Sequence, residues 1–321
     1  MATNAKEGQE AERDDLLSTL PLEQGLFSGD LRLYKGVWIR STSRRASSAT
    51  ISVTLWHAPP TSSSRASPTA YSVDDSHPLH RLNPHECVPY LEWEEPHSPN
   101  QLGDGPRLYS THLPFPMLPD SIKASGCRLV YVCRDPKDVV VSFWHFNEGI
   151  KKGPDRAMRE AAAPFDRFFE KFCDGVCPYG PIWDHVLGYW NESLRAPEKV
   201  LVLKYEEMLE DPLGTLTRMA EFMDCAFTEE EEKAGVPAEI VKLCSFGNLR
   251  DVAVKQNRRL GPKEVVKTDS FFRKGVAGDW KNHLSPEMAE KLDRIIQEKL
   301  HGTGLAFGRR RSEITAGALD A

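Results

Sequence analysis

Residues 127–146, CRLVYVCRDPKDVVVSFWHF, change character at their midpoint. Leu129 to Cys133 is a short apolar run rich in residues that favour strands. Arg134-Asp135-Pro136 ends it. Pro136 cannot donate to a sheet ladder but suits the first turn of a helix, and Asp135 before it is a good N-cap. Beyond the stop, Val139, Val140, Phe143, Trp144 and Phe146 recur at helical spacing. The pattern predicts a buried strand, a tight turn and a helix, which is half of a βαβ unit. In open α/β sheets ligands sit at the carboxyl ends of strands, and Arg134 stands at such an end. Ser142 lies two helical turns further along. An arginine at a strand end beside a helix N-terminus suits a phosphate.

The same grammar recurs downstream. Lys199 to Lys204, KVLVLK, is a second buried-strand signal closed by Tyr205, and Asp211-Pro212 starts a helix through Phe222. Pro154 to Trp190 is helical in pattern, and its stripe of Phe165, Phe168, Phe169 and Phe172 reads as core. Glu229 to Glu232 reads as a solvated helix start, and Pro286 to Leu300 as an amphipathic helix. Leu31 to Ile39 is ordered in pattern, and order resumes at His77 with HPLHRLNPHECVPYLEWEE, spaced for a short helix or strand. Upstream of the central stretch, Arg107 to Leu118 is a short strand candidate ending at Thr111-His112-Leu113-Pro114. His112 either holds that corner or projects from the strand end. Ser270 to Trp280, SFFRKGVAGDW, is either an ordinary basic turn or a flexible loop that clasps a phosphate through Arg273, Lys274 and exposed backbone N–H groups.

With 321 residues the chain is long enough for a sizeable core, in one large α/β domain or one domain with additions. Its 41 Lys plus Arg against 47 Asp plus Glu argue against a general nucleic-acid binder, though not against a local basic pocket. No apolar run reaches membrane-spanning length, and MATNAKEGQEAERDD lacks the apolar core of a signal peptide. The seven cysteines are scattered without a framework spacing, which fits a reducing compartment such as the cytoplasm. Cys173 and Cys177 have no second Cys/His pair at zinc-site spacing, so no metal is expected. The absence of any GxxxxGK[ST] loop counts against a nucleotide kinase.

One stretch breaks the pattern. Arg40 to Val73 is dense in Ser, Thr, Arg, Ala and Pro, with few large apolar residues apart from Ile51 to Trp56. It has the composition of a linker where a compact α/β domain needs its first core strand and helix. No glycine occurs between Gly36 and Gly103, and no lysine between Lys35 and Lys123.

Taken together, YSTHLPFPMLP, VYVCRDPKDVVVSFWHF, PYGPIWDHVLGYW, VLVLKYEEMLEDP, LCSFGNLRD and FFRKGVAGDWKNHLSPEMAEKLD occur in an order that resembles the cytosolic sulfotransferases, the flowering-plant branch in particular. The resemblance covers roughly Leu31 to Gly308 apart from Arg40–Val73. It implies an α/β fold with a central parallel sheet flanked by helices, related to P-loop nucleotide kinases. The expected organisation is a disordered tail over 1–15, a sulfotransferase domain over 16–308 with a poorly ordered 40–73, and a second tail over 309–321. The implied donor is 3′-phosphoadenosine 5′-phosphosulfate (PAPS), and the implied partner a small hydroxylated acceptor, with no nucleic acid and no membrane.

By resemblance, His112 occupies the place of the catalytic base, and Arg134 and Ser142 that of the pair on the 3′-phosphate. Arg273, Lys274 and Gly275 match the loop that closes on the same phosphate. Tyr205 matches the residue beside the adenine, and Ser245 and Phe246 fall in the segment lining that pocket. Lys281, Ser285, Pro286 and Glu290 fall on the family's dimer motif, but its usual Thr-Val is Ser-Pro here, so a monomer or weak homodimer is expected.

The family's first motif, a Tyr/Phe-Pro-Lys-Ser-Gly-Thr-Thr-Trp loop that cradles the 5′-phosphosulfate, is absent, and its place falls in Arg40–Val73. Single oxyanion donors are worth about 10²–10³ in rate, so losing cradle and cation together predicts an impaired enzyme or a nucleotide-binding protein. A hypothesis for the cause is an out-of-frame read. One permitted codon choice for Ile51–His57, shifted by one base, encodes Leu-Ala-Ser-Arg-Ser-Gly-Thr. A divergent insertion and a mis-spliced exon are the competing causes. Sequencing the transcript across codons 36–80 separates them: an unchanged reading sinks the frame hypothesis.

Overall fold

The computed structural model describes residues 22–27, 29–34, 37–40, 52–57, 76–88, 90–91, 107–151, 164–260 and 266–308. The tails expected over 1–15 and 309–321 lie outside them, as does 40–73 apart from Arg40 and 52–57.

The central sheet has four strands in the order β5-β4-β6-β7: β4 is Ser52–His57, β5 Arg107–Thr111, β6 Arg128–Cys133 and β7 Val200–Lys204. The strands numbered before these form a separate antiparallel meander: β1 Leu22–Phe27, β2 Gly29–Tyr34 and β3 Val37–Arg40. The ordered reading of Leu31–Ile39 thus resolves into β2 and β3. β6 and β7 pair in parallel, Leu129 with Val200 through Cys133 with Lys204. β5 runs the same way. β4 runs against both neighbours, with Ser52 opposite Val132 and Val53 opposite Thr111.

That reversed strand is the departure from an all-parallel sheet, and it lies inside the stretch expected to be poorly ordered. Val53, Thr54 and Trp56 suit a strand, so the run fills the vacant central slot. A parallel connection needs a crossover, usually helical, and Pro59, Pro60, Ser62, Ser63, Ser64 and Pro68 after the strand oppose a helix. An antiparallel entry places no such demand.

β6 is buried on both faces, which explains its unbroken apolar run. Leu129, Tyr131 and Cys133 face one layer of helices: α1 Pro136–Lys151, α2 Phe165–Cys173, α3 Ile182–Arg195 and, later in the chain, Pro286–Leu300. Val130 faces the other way with Leu201 and Leu203, against Met219 and Phe222 of the helix Pro212–Phe222. The result is a three-layer α/β arrangement. The phenylalanine stripe is core as expected: Phe168, Phe169 and Phe172 are buried and Phe165 packs at the margin. Burying each contributes about 1.5–3 kcal/mol. Among the described residues no helix is long and apolar enough to cross a membrane.

α1 starts as its sequence dictates. Pro136 takes the first turn, and the Asp135 carboxylate accepts from the Lys137 N–H at 2.9 Å. The segment from His77 holds a short 3₁₀ turn, Pro78–His80, and one helical turn, Pro84–Cys87, closed by a capping box between Asn83 and Glu86. Cys133, Cys173 and Cys177 are buried, and burial pushes each thiol up to about 12, so all three stay protonated.

Candidate functional site

Three parallel-running strands end on one cavity of about 820 Å³. β5 delivers His112, β6 delivers Arg134 and β7 delivers Tyr205, each as the first residue past the strand. Ser142 joins from α1, Phe246 from helix α4 (Phe246–Gln256), and Arg273, Lys274 and Gly275 from the loop after it. These residues, scattered over more than 160 positions of the chain, therefore share one lining. Ser245 does not line the cavity. Its hydroxyl accepts from the Asn248 N–H at 3.4 Å and caps α4, the helix that Phe246 opens.

His112 is buried in an aromatic stack. Its ring lies parallel to Tyr90, 4.9 Å between centroids, and near-parallel to Tyr179 at 6.0 Å. Tyr179 holds φ at 60°, a left-handed backbone that bulky residues seldom adopt. The main chain at His112 is fixed from below. His185 Nε2 donates to the His112 carbonyl at 3.0 Å, and its Nδ1 accepts from the Tyr131 hydroxyl at 3.0 Å. That pattern needs neutral His185, and burial lowers its pKa to about 4. Beside this stack, the Tyr90 hydroxyl meets His85 Nδ1 at 2.7 Å, and the His85 ring lies 4.1 Å from Phe271. Burial, and secondarily His112, lower the His85 pKa to about 4 as well.

The cationic end is assembled around two buried carboxylates. Arg134 lies over the Tyr205 ring at 4.7 Å, donates to the Val276 carbonyl at 2.7 Å and sits 3.4 Å from Asp138. Its Nε is buried, and among the described residues no acceptor meets it. Arg273 and Lys274 reach Asp279 at 2.6 and 2.7 Å. Burial alone would push the Asp279 carboxyl up; hydrogen bonds from Lys274, Asn282 and Arg273 outweigh it and hold the group well below the usual carboxylate range. Asp138 accepts from the Gly278 and Trp280 N–H groups at 2.6 and 3.0 Å, tying the start of α1 to this loop. Gly275 is obligatory here. Its φ is +68°, and a Cβ would stand 2.3 Å from Phe246 Cδ2. His145 also lines the cavity, with its pKa lowered to about 4 first by burial and then by Arg273.

Reading the sequence missed His85, Tyr90 and Phe271 around His112, and Asp138 and Asp279 behind the cations. Asp138 carried a usable signal, four residues after Arg134 on a helix's first turn. Asp279 sits five residues past Lys274, a spacing that means nothing until the loop folds back. His85 and Tyr90 precede His112 by more than 20 residues, in a segment whose spacing suits a short helix or a strand alike.

The sulfotransferase domain family matches residues 61–304. Cytosolic sulfotransferase 5 of Arabidopsis thaliana is 45% identical over 241 residues, covering 74% of this chain and 72% of that protein. Cytosolic sulfotransferase 7 of the same plant is 39% identical over 326 residues, covering 94% and 97%. Among solved structures, an ensemble-refined Arabidopsis thaliana sulphotransferase superposes with a TM-score of 0.61 at 30% identity, over 92% of this chain and 94% of its own. Mouse sulfotransferase SULT7A1, complexed with PAP, gives 0.52 at 28% identity, over 66% and 69%. With its strand-end site, its α/β layers, the family match over residues 61–304 and relatives covered over 72% and 97% of their lengths, this chain belongs to the sulfotransferase family, in its plant cytosolic branch.

Proposed function

We propose that the protein acts in the cytoplasm on PAPS and a small hydroxylated acceptor, transferring the sulfuryl group to the acceptor oxygen with His112 as general base. The observation that carries this reading is the convergence of His112 with Arg134, Ser142, Tyr205, Phe246 and Arg273–Gly275 around one cavity. The acceptor oxygen attacks sulfur as the bond from sulfur to the 5′-phosphate oxygen breaks. Adenosine 3′,5′-bisphosphate (PAP) leaves, and the acceptor proton passes to the His112 imidazole. Arg134, Arg273 and Lys274 fit the 3′-phosphate: they are three cations, one with an unmet buried N–H. Tyr205 and Phe246 supply flat surfaces for the adenine. No metal is part of this reading. The rings of Tyr90, Phe146 and Phe271 line the wall beside His112 and suit an acceptor with apolar surface.

A second reading is a family member that binds nucleotide and small molecule with little or no turnover. The missing glycine- and lysine-bearing loop and the reversed β4 favour it. Incubation with PAPS and a panel of phenolic and aliphatic alcohols tests both. Sulfated product that falls at least about 10²-fold in His112→Ala, with PAP affinity kept within about twofold, supports the first reading. Unchanged turnover in that variant removes His112 from the mechanism. PAP binding without product from any acceptor supports the second reading.

A further inference from the structure

We infer that the cavity selects adenosine ligands by their 3′-phosphate and is nearly indifferent to the group at the 5′ position, so that it receives nucleoside 3′-phosphates as a class. The inference rests on the 3′-phosphate reading above and goes beyond it at the other end of the nucleotide.

Phosphate cradles in open α/β sheets follow the carboxyl end of a strand into a helix N-terminus. Here β5, β6 and β7 turn their carboxyl ends to the cavity, but β4, the strand between β5 and β6, does not. Ser52 pairs with Val132 beside Arg134, while Trp56 pairs with Arg128 and His57 with Arg107 at the opposite edge. β4 therefore turns its carboxyl end to the edge remote from His112 and Arg134, and among the described residues no strand–loop–helix cradle opens from it towards the cavity. The composition agrees, since no glycine lies between Gly36 and Gly103 and no lysine between Lys35 and Lys123. A backbone cradle needs the first, and the second removes the point charge best suited to a leaving oxygen.

The 3′ end is the reverse case. Arg134, Arg273 and Lys274 are held in place by Asp138 and Asp279, which are both buried, so the seat exists before a ligand arrives. Arg134 Nε is buried with no acceptor among the described residues, a donor that a phosphate oxygen would satisfy. Among the described residues one anion seat is built and a second is not. Among the described residues the further cations lining the cavity are Arg259 and Lys267, on a pair of two-residue strands.

Calorimetric titration of the full chain at physiological salt with PAP, adenosine 3′-phosphate and adenosine 5′-phosphate decides the matter. Adenosine 3′-phosphate is expected to bind within about tenfold of PAP, and adenosine 5′-phosphate more than about tenfold weaker than either; tenfold is about 1.4 kcal/mol, less than one charge-assisted hydrogen bond. PAP binding more than about tenfold tighter than adenosine 3′-phosphate overturns the inference and leaves the 3′-phosphate reading standing. Equal binding of the two monophosphates, or binding of none, overturns both. Arg134→Lys, which keeps the charge but loses the fork, is expected to weaken PAP and adenosine 3′-phosphate by the same factor and leave adenosine 5′-phosphate unchanged. A loss shared by all three ligands would make Arg134 structural and overturn the selection it is assigned.

Discussion

Arg134 is restrained on several sides: Tyr205 beneath it, the Val276 carbonyl at one nitrogen and Asp138 at 3.4 Å. Such an arginine has little rotamer freedom left to lose when an anion arrives, so its hydrogen bonds to phosphate convert into affinity with little ordering cost. Charge-assisted hydrogen bonds are worth about 1.5–3 kcal/mol, so Arg134→Ala is expected to weaken PAP by roughly 10- to 100-fold. Binding of unphosphorylated adenosine should hardly change. Parallel titrations check this, and equal losses for both would show that the side chain serves the fold alone. The same residue scale explains why the loop carries Gly275: only a residue without Cβ lets the backbone pass at φ +68° against the Phe246 ring.

At the scale of elements, α2 is bound to the sheet layer through one stripe, and its other face is solvated. Phe168 and Phe169 are among the largest fully buried side chains, and Phe143 of α1 meets Phe168 edge-on at 5.6 Å. Phe169→Ala should lower unfolding free energy by about 3–5 kcal/mol. The acidic helix Glu229–Lys233 is the contrast: its start is closed by the Thr228–Glu231 capping box, and none of its residues is buried. Glu230→Gln there should stay within about 0.5 kcal/mol. Urea unfolding of the two variants checks the pair; comparable losses would mean that the phenylalanine stripe is not core. The periodicity of α2 was legible because burial repeats every turn, whereas the place of β4 was legible only as a short apolar run.

At the scale of the whole molecule, three histidines among the described residues couple stability to pH. His85, His145 and His185 are each held at about 4, chiefly by burial. An unfolded histidine titrates near 6.5, so between about pH 4 and 6.5 the unfolded chain binds more protons, and stability rises with pH across that window. Read downward, stability is lost as pH falls from about 6.5 towards 4. His185 contributes most plainly, on the order of 3 kcal/mol, because protonation there breaks the Tyr131–His185–His112 chain that joins β6, α3 and the end of β5. Thermal melts between pH 4 and 8 should show a rising Tm that levels above about 6.5. A Tm flat across that window would mean that these imidazoles are not buried neutral. The same chain links fold to site, since it holds the backbone of the proposed base.

The sequence by itself determined the strand–turn–helix units, the core stripe and the cationic candidates, because these are written in neighbouring residues: an apolar run, an Asp-Pro stop, a repeat every three to four positions. Tertiary structure alone decided which of them meet. His112, Arg134 and Tyr205 share a cavity because three strands run the same way. Asp138 and Asp279 matter because the loop returns over α1. Ser245 caps the helix that brings Phe246 to the cavity. The direction of β4 was decided by the sheet too. A strand's residues specify which faces they bury, but its polarity is set by the connections and by the partners on either side, and those are assembled from distant parts of the chain.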